Sequence, residues 1–211
     1  HYLDTPIPIS YPFIFVNLGK QKPTLKTLQT YFLSKGLPLQ AIESITESFQ
    51  TKQLDKGEYF VQEGRTSKYM GFITQGLFQY YYLKDGKEIT TYVTGANAFL
   101  LSLSSFFKQA PSLENIRAMT EATILTIHYD EVMRLKKENE AFLAFYIAAL
   151  ENLVISMDDT RTNLIILSAE ERYQLLLKNE PDLLRQIPLQ YLASILGVTP
   201  RHLSRIRQNI S

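Results

Sequence analysis

Near its C-terminal end the chain sets Arg201, His202, Ser204, Arg205, Arg207 and Gln208 around the apolar pair Leu203 and Ile206. Leu203 and Ile206 are three residues apart, so in a helix they share one face and leave the six polar side chains on the other. Such a face can donate to base edges and to phosphate oxygens. Residues 188–211 hold three arginines and no acid, a local charge of +3, whereas the whole chain carries only +1, so the rest is net negative. Positive charge gathered at one end of a near-neutral protein suits a polyanionic partner.

Other chemistries find little to work with. The absence of cysteine excludes disulfide frameworks, thiolate zinc sites, cysteine-held iron–sulfur clusters and cysteine nucleophiles. His1, His128 and His202 have no carboxylate or nucleophile at a catalytic spacing, and no glycine-rich phosphate loop or metal cluster is present. Asp158-Asp159 reads as a solvated helix face. The chain is therefore read as no enzyme, with no catalytic residue, metal or cofactor. At 211 residues, 45% hydrophobic and 20% charged, it has the composition of a globular protein of one large and one small unit. No run reaches the roughly 20 apolar residues of a membrane span. Ile7 to Leu18 is broken by Pro8 and Pro12 and lacks a basic start and a cleavage site, so it is a poor signal peptide. The expected location is the cytoplasm.

These donors need a scaffold. Residues 1–22 carry Pro6, Pro8 and Pro12 without periodicity and are read as an extension of unknown role. Leu25, Leu28, Phe32 and Leu33, then Leu39, Ile42, Ile45 and Phe49, predict two short helices separated at Gly36-Leu37-Pro38. From Thr51 to His128 glycine turns recur about every ten residues between runs such as Tyr69–Ile73, Leu77–Leu83, Ile89–Val93, Ile116–Met119 and Ala122–His128. Lys84-Asp85-Gly86-Lys87 is a hairpin signal. Many short strands without long helices between them predict a closed antiparallel roll or barrel. Leu143, Tyr146, Ile147, Leu150, Val154 and Met157 then mark an apolar stripe on a long helix, which predicts a partner helix or, alternatively, burial within one chain. Ser168 with Glu171 is a capping box. Glu180-Pro181 ends that helix. In the last unit Leu192, Ala193 and Leu196 face inward, Gly197 turns the chain, Val198 plugs the angle, Thr199 caps and Pro200 opens the next helix: a helix-turn-helix.

This order of parts resembles the cyclic-AMP receptor and fumarate-nitrate regulator (Crp/Fnr) family of bacterial transcription factors over residues 25–211. The resemblance is carried by Lys56-Gly57-Glu58, Met70-Gly71-Phe72-Ile73 with Gly76, and Leu192-Ala193 through Arg205. It implies an α+β fold: a cyclic-nucleotide-binding-like β-roll with leading helices over 23–133, a dimerisation helix over 134–167 and a helix-turn-helix domain over 168–211 lacking most of the wing. It also implies a homodimer that sets two recognition helices in successive major grooves. By the same likeness Arg205 stands where an arginine reads guanine and Thr199 where a hydroxyl meets phosphate. Arg201 replaces a frequent glutamate, so the operator need not be the familiar one.

The effector site departs from the family. Nucleotide-binding members use a Gly-Glu pair for ribose and an arginine with a small residue for phosphate. Phe99 and Ile116-Arg117-Ala118 align Leu101-Ser102 with the first pair and Ser112-Leu113 with the second. Neither charge is there. A buried phosphodiester without a cation is costly, so cyclic AMP is not the expected effector, with Lys108 or Arg117 as the remaining cations. His128 is a haem ligand or, as a lone strand histidine, a satisfied polar residue. The expected partners are duplex DNA, a second copy, RNA polymerase and an unidentified small molecule, without a membrane. The alternative is a ligand-binding or protein-interaction module whose helical tail does not bind DNA.

Overall fold

The computed structural model describes residues 25–210, so the extension at 1–22 lies outside the described residues. Two helices lead, α1 (Leu25–Ser34) and α2 (Leu39–Thr46). Eight strands follow: β1 (Gln50–Leu54), β2 (Tyr59–Val61), β3 (Tyr69–Gln75), β4 (Phe78–Lys84), β5 (Lys87–Thr94), β6 (Phe99–Leu100), β7 (Asn115–Ala118) and β8 (Ala122–His128). Helix α3 (Leu103–Lys108) lies between β6 and β7. The remainder is helical: α4 (Tyr129–Glu138), α5 (Glu140–Ile166), α6 (Ala169–Asn179), α7 (Pro181–Gln186), α8 (Leu189–Ile195) and α9 (Pro200–Ile210). The chain divides into two compact units between Ala149 and Leu150.

The first unit is the antiparallel β-roll foreseen from the glycine punctuation. Its strands form two four-stranded sheets, ordered β1-β8-β3-β6 and β2-β7-β4-β5. Between them lie Leu54, Val61, Ile73, Phe78, Tyr80, Leu100, Ile116 and Ile124, with Phe60 and Tyr92 packed against this core. The hairpin signal is used as read: Lys84 pairs with Lys87 across Asp85 and Gly86, both at positive φ, as a tight primed turn requires. Gly76 has a different reason. At φ +103° it leaves β3 so close to β8 that a Cβ would lie 2.6 Å from that of Ala122.

An aromatic cluster joins the leading helices to the roll. The Tyr31 ring sits 5.1 Å from Phe72, Phe72 5.2 Å from Phe99, and Phe32 5.1 Å from Phe145 at the start of α5. Asn139 separates α4 from α5. Its extended backbone, φ −128° and ψ 102°, stops α4, and its side-chain oxygen accepts the Phe142 N–H at 2.9 Å. The long helix thus starts at Glu140. By length and composition alone this 27-residue helix is apolar enough to cross a bilayer, with a mean hydropathy of 1.5 in its most apolar stretch, though Glu151, Asp158, Asp159 and Arg161 interrupt the helix.

In the second unit Ser168 makes the predicted capping box: its hydroxyl accepts the Glu171 N–H at 3.2 Å, and the Glu171 carboxylate accepts the Ser168 N–H at 2.8 Å. Its buried apolar residues include Leu153, Tyr173, Leu176, Leu184, Ile187, Leu192, Ala193, Leu196, Leu203 and Ile206. Glu180-Pro181 does end α6, but the proline also starts α7 at once. Its fixed φ and missing N–H suit a first helical position.

Candidate DNA interface and effector site

Helices α8 and α9 meet at a turn whose backbone is fully specified. The Val198 N–H donates to the Ala193 carbonyl at 2.9 Å and the Gly197 N–H to that of Ser194 at 3.0 Å, the paired bonds of a Schellman end. Gly197 sits at φ +68° with open space around it, so glycine is required there for conformation and not for clearance. Thr199 then caps α9, its Oγ1 accepting the His202 N–H at 3.2 Å. That bond uses a lone pair and leaves the hydroxyl proton for another acceptor.

Leu203 and Ile206 are buried, while Arg201, His202, Arg205, Arg207 and Gln208 are exposed. Ser204 is half-buried, its hydroxyl donating to the Pro200 carbonyl at 3.0 Å. Among the described residues Arg201 and Arg205 meet no carboxylate. Arg201 and Arg205 thus stand on this face as donors that no described carboxylate neutralises.

Arg172, on α6, is a residue the sequence reading missed. Its guanidinium donates to the Leu167 carbonyl at 2.8 Å, just past the end of α5, and to the Leu196 carbonyl at 2.8 Å, at the end of α8. A cation at two helix C-termini satisfies otherwise orphaned carbonyls and complements both dipoles.

On α5, Leu143, Ile147, Leu150, Val154 and Met157 recur at alternating steps of four and three, the spacing of a coiled-coil seam. Ile147, Val154 and Met157 are 48%, 66% and 53% exposed, an unusual state for side chains of this kind. Leu143 is just exposed and Leu150 half-buried. Tyr146 lies off this row: Lys136 Nζ stands 4.4 Å from its ring and Phe142 packs at 6.2 Å.

The expected effector residues separate. Phe99 belongs to the aromatic cluster, and Leu101 is buried with its N–H donating to the Tyr80 hydroxyl at 3.3 Å. Ser102 and Ser112 do come together, their hydroxyls 3.1 Å apart. Leu113 is 75% exposed and faces solvent, which removes it from the pocket. Arg117 is also spoken for. It makes a two-pronged pair with Glu88 at 2.9 and 2.7 Å, donates to the Gln79 side-chain oxygen at 2.9 Å and stacks on Tyr81 at 4.8 Å. Lys108 is exposed on α3. His128 is a cap, its Nδ1 accepting the Asp130 N–H at 3.3 Å.

The group that closes this site is Glu114. Its Oε1 accepts the Ser102 hydroxyl at 2.7 Å, while its backbone carbonyl accepts the Ser112 hydroxyl at 2.8 Å. Burial raises the Glu114 pKa above the usual carboxylate range, and the hydroxyls of Ser102 and Tyr82 only partly offset this. Two serine hydroxyls and a carboxylate therefore occupy the region that the sequence reading assigned to a phosphate.

Residues 51–139 match the cyclic nucleotide-binding domain family. No curated protein matches the chain significantly in sequence. Among solved structures the chain resembles FixK2 from Bradyrhizobium japonicum, with 13% identity over 77% of this chain and 84% of that one and a TM-score of 0.64. It resembles a CooA mutant from Carboxydothermus hydrogenoformans, with 17% identity over 79% and 78% and a TM-score of 0.62. CLP from Xanthomonas campestris, described as a c-di-GMP-responsive global regulator, shares 14% identity over 82% of this chain and 91% of its own, with a TM-score of 0.62.

Proposed function

We propose that this chain, whose fold is that of the Crp/Fnr regulators and whose roll matches the cyclic nucleotide-binding domain, is a sequence-specific DNA-binding transcription regulator. The observation that carries the reading is the α9 face. Arg201 and Arg205 stand exposed and without a carboxylate beside a capped Thr199, on a helix whose other side is buried. Arginine in that setting suits a bidentate contact to guanine, and the free proton of the Thr199 hydroxyl suits a phosphate. The exposed four-and-three row on α5 supports a second copy of the chain as the partner, since parallel helices bury such a row against each other. A dimer would present two α9 helices to two half-sites.

Cyclic AMP is not the effector in this reading. Glu114 and two serine hydroxyls bring no positive charge to a phosphodiester, and Arg117 is held by Glu88.

Salt decides between this function and a protein-docking tail. Binding to duplex DNA should fall steeply as salt rises, with a slope near about −0.9 per phosphate contacted. A weak interaction with a flat salt response would favour the tail.

A further inference from the structure

The loop between β2 and β3 curls around an open hollow of about 260 Å³ that none of the expected effector residues lines. Two cations, Arg65 and Lys68, project there, and no carboxylate lines it. Arg117, Arg134, Arg161 and Arg185 are all ion-paired, whereas among the described residues Arg65 and Lys68 are not. Two aromatic rings flank the cations. The hydroxyls of Tyr59 and Tyr81 stand 3.0 Å apart in a hydrogen bond, and the Tyr69 ring meets His128 edge-on at 5.1 Å. Both walls are therefore held while their faces stay partly open, at 38% and 48% exposure.

The loop is also fastened to the segment that closes the effector region. The Gly64 N–H donates to the Ser112 carbonyl at 2.8 Å, the Ser112 N–H donates to the Arg65 carbonyl at 3.0 Å, and Thr66 bridges Pro111. The Ser67 N–H donates to the Ser105 hydroxyl at 2.9 Å. Ser112 thus holds the basic loop through its backbone and Ser102 and Glu114 through its side chain.

We propose that this hollow binds a small phosphate monoester with a flat ring, and that occupancy is felt at Ser112. Two cations three residues apart match a dianion. Tyrosine faces match a planar body, and the volume lies just below that of drug-sized sites, so the ligand is small. A ligand that draws Arg65 and Lys68 together shifts the backbone that holds Ser112, and with it the Ser102–Glu114 clasp. As a binding site this is independent of the regulator reading; as an effector site it rests on it.

The test titrates the intact protein with phenyl phosphate, inorganic phosphate and phenol by calorimetry and by amide NMR. Phenyl phosphate should bind one-to-one and roughly tenfold more tightly than either fragment, because only it engages both charge and ring. Arg65→Glu and Lys68→Glu should abolish binding, while Lys84→Glu and Lys87→Glu on the β4–β5 hairpin leave it unchanged. Amide shifts should extend from residues 62–69 to 105–112. No saturable heat, or equal losses from the hairpin variants, would overturn the site. Shifts confined to 62–69 would overturn transmission to Ser112. Clear phenyl phosphate binding in a protein that fails to bind duplex would sink the regulator reading and leave the site standing.

Discussion

Arg172 and Leu196 are joined across the small unit, guanidinium to main-chain carbonyl at 2.8 Å, and the same guanidinium holds Leu167. The turn that aims α9 is thereby tied to the segment that leaves α5. One side chain thus bridges the end of α8, next to the turn into α9, and the residue that follows α5.

Arg172→Lys should test that bridge. An ammonium keeps the charge but cannot span two carbonyls with a planar fork. One charge-assisted bond is lost, which should cost about 1.5–3 kcal/mol of the unit's stability. Thermal melting should record the loss, and duplex affinity should fall although α9 itself is unaltered. An unchanged melting curve would mean the two carbonyls are equally well served by water.

Glu180 supplies a pH signature for the same unit. It sits at the junction of α6 and α7, and burial raises its carboxyl pKa to about 7 from 4.5. A raised acid favours the protonated folded form, so ionised Glu180 destabilises the unit above pH 7. Stability should increase as pH falls from about 7 towards 4.5, the window between the two values. Glu180→Gln should remove this slope and stabilise the unit at neutral pH, as read by denaturant titrations across that range.

The row on α5 predicts assembly. Leu150→Glu with Val154→Glu would set charges at adjacent seam positions of a helix about 40 Å long. Light scattering should then report a monomer, and duplex affinity should drop because two half-sites are no longer bound together. A folded dimer in the double variant would move the interface off this helix.

How much of this was legible in the sequence depended on whether hydropathy and geometry agreed. They agree in α9, where Leu203 and Ile206 set the buried side and the polar residues follow, and at Gly197 and Ser168, where local backbone needs select the residue. They disagree at β1, Gln50–Leu54, an exposed polar strand with only Leu54 buried and so no alternation to read. They invert at Leu113 and Glu114: the leucine faces solvent and the acid turns in to meet Ser102. An inward carboxylate is determined by its tertiary partners, which no local pattern encodes. Arg172 was missed for a similar reason, since its acceptors are main-chain atoms, one of them 24 residues away.

Glu114 makes the effector prediction a test of charge. Cyclic AMP should give no saturable binding by calorimetry, because its phosphate would face a carboxylate that already holds Ser102. Glu114→Gln keeps an acceptor for Ser102 and removes the charge, so it should raise stability at neutral pH, in line with the upward shift caused by burial. A one-to-one cyclic AMP complex with micromolar affinity in the unaltered protein would overturn this assignment.

Arg205 carries the sharpest expectation. It is exposed on α9 between the buried Leu203 and Ile206, so its guanidinium is free to reach outward to a base edge. A bidentate contact to guanine is worth roughly 1–3 kcal/mol per half-site, and a dimer makes it twice, at centres about 34 Å apart. Arg205→Ala should therefore weaken binding to a selected operator far more than to a scrambled duplex, with fold and assembly intact. Thr199→Ala should weaken both duplexes alike, since a phosphate contact positions without specifying. It should also cost about 1 kcal/mol of stability, because the His202 N–H loses its cap. The paired titration separates the roles. Equal losses on both duplexes for Arg205→Ala would confine that residue to phosphate and pass base reading to Arg201 or His202, its neighbours on the exposed face.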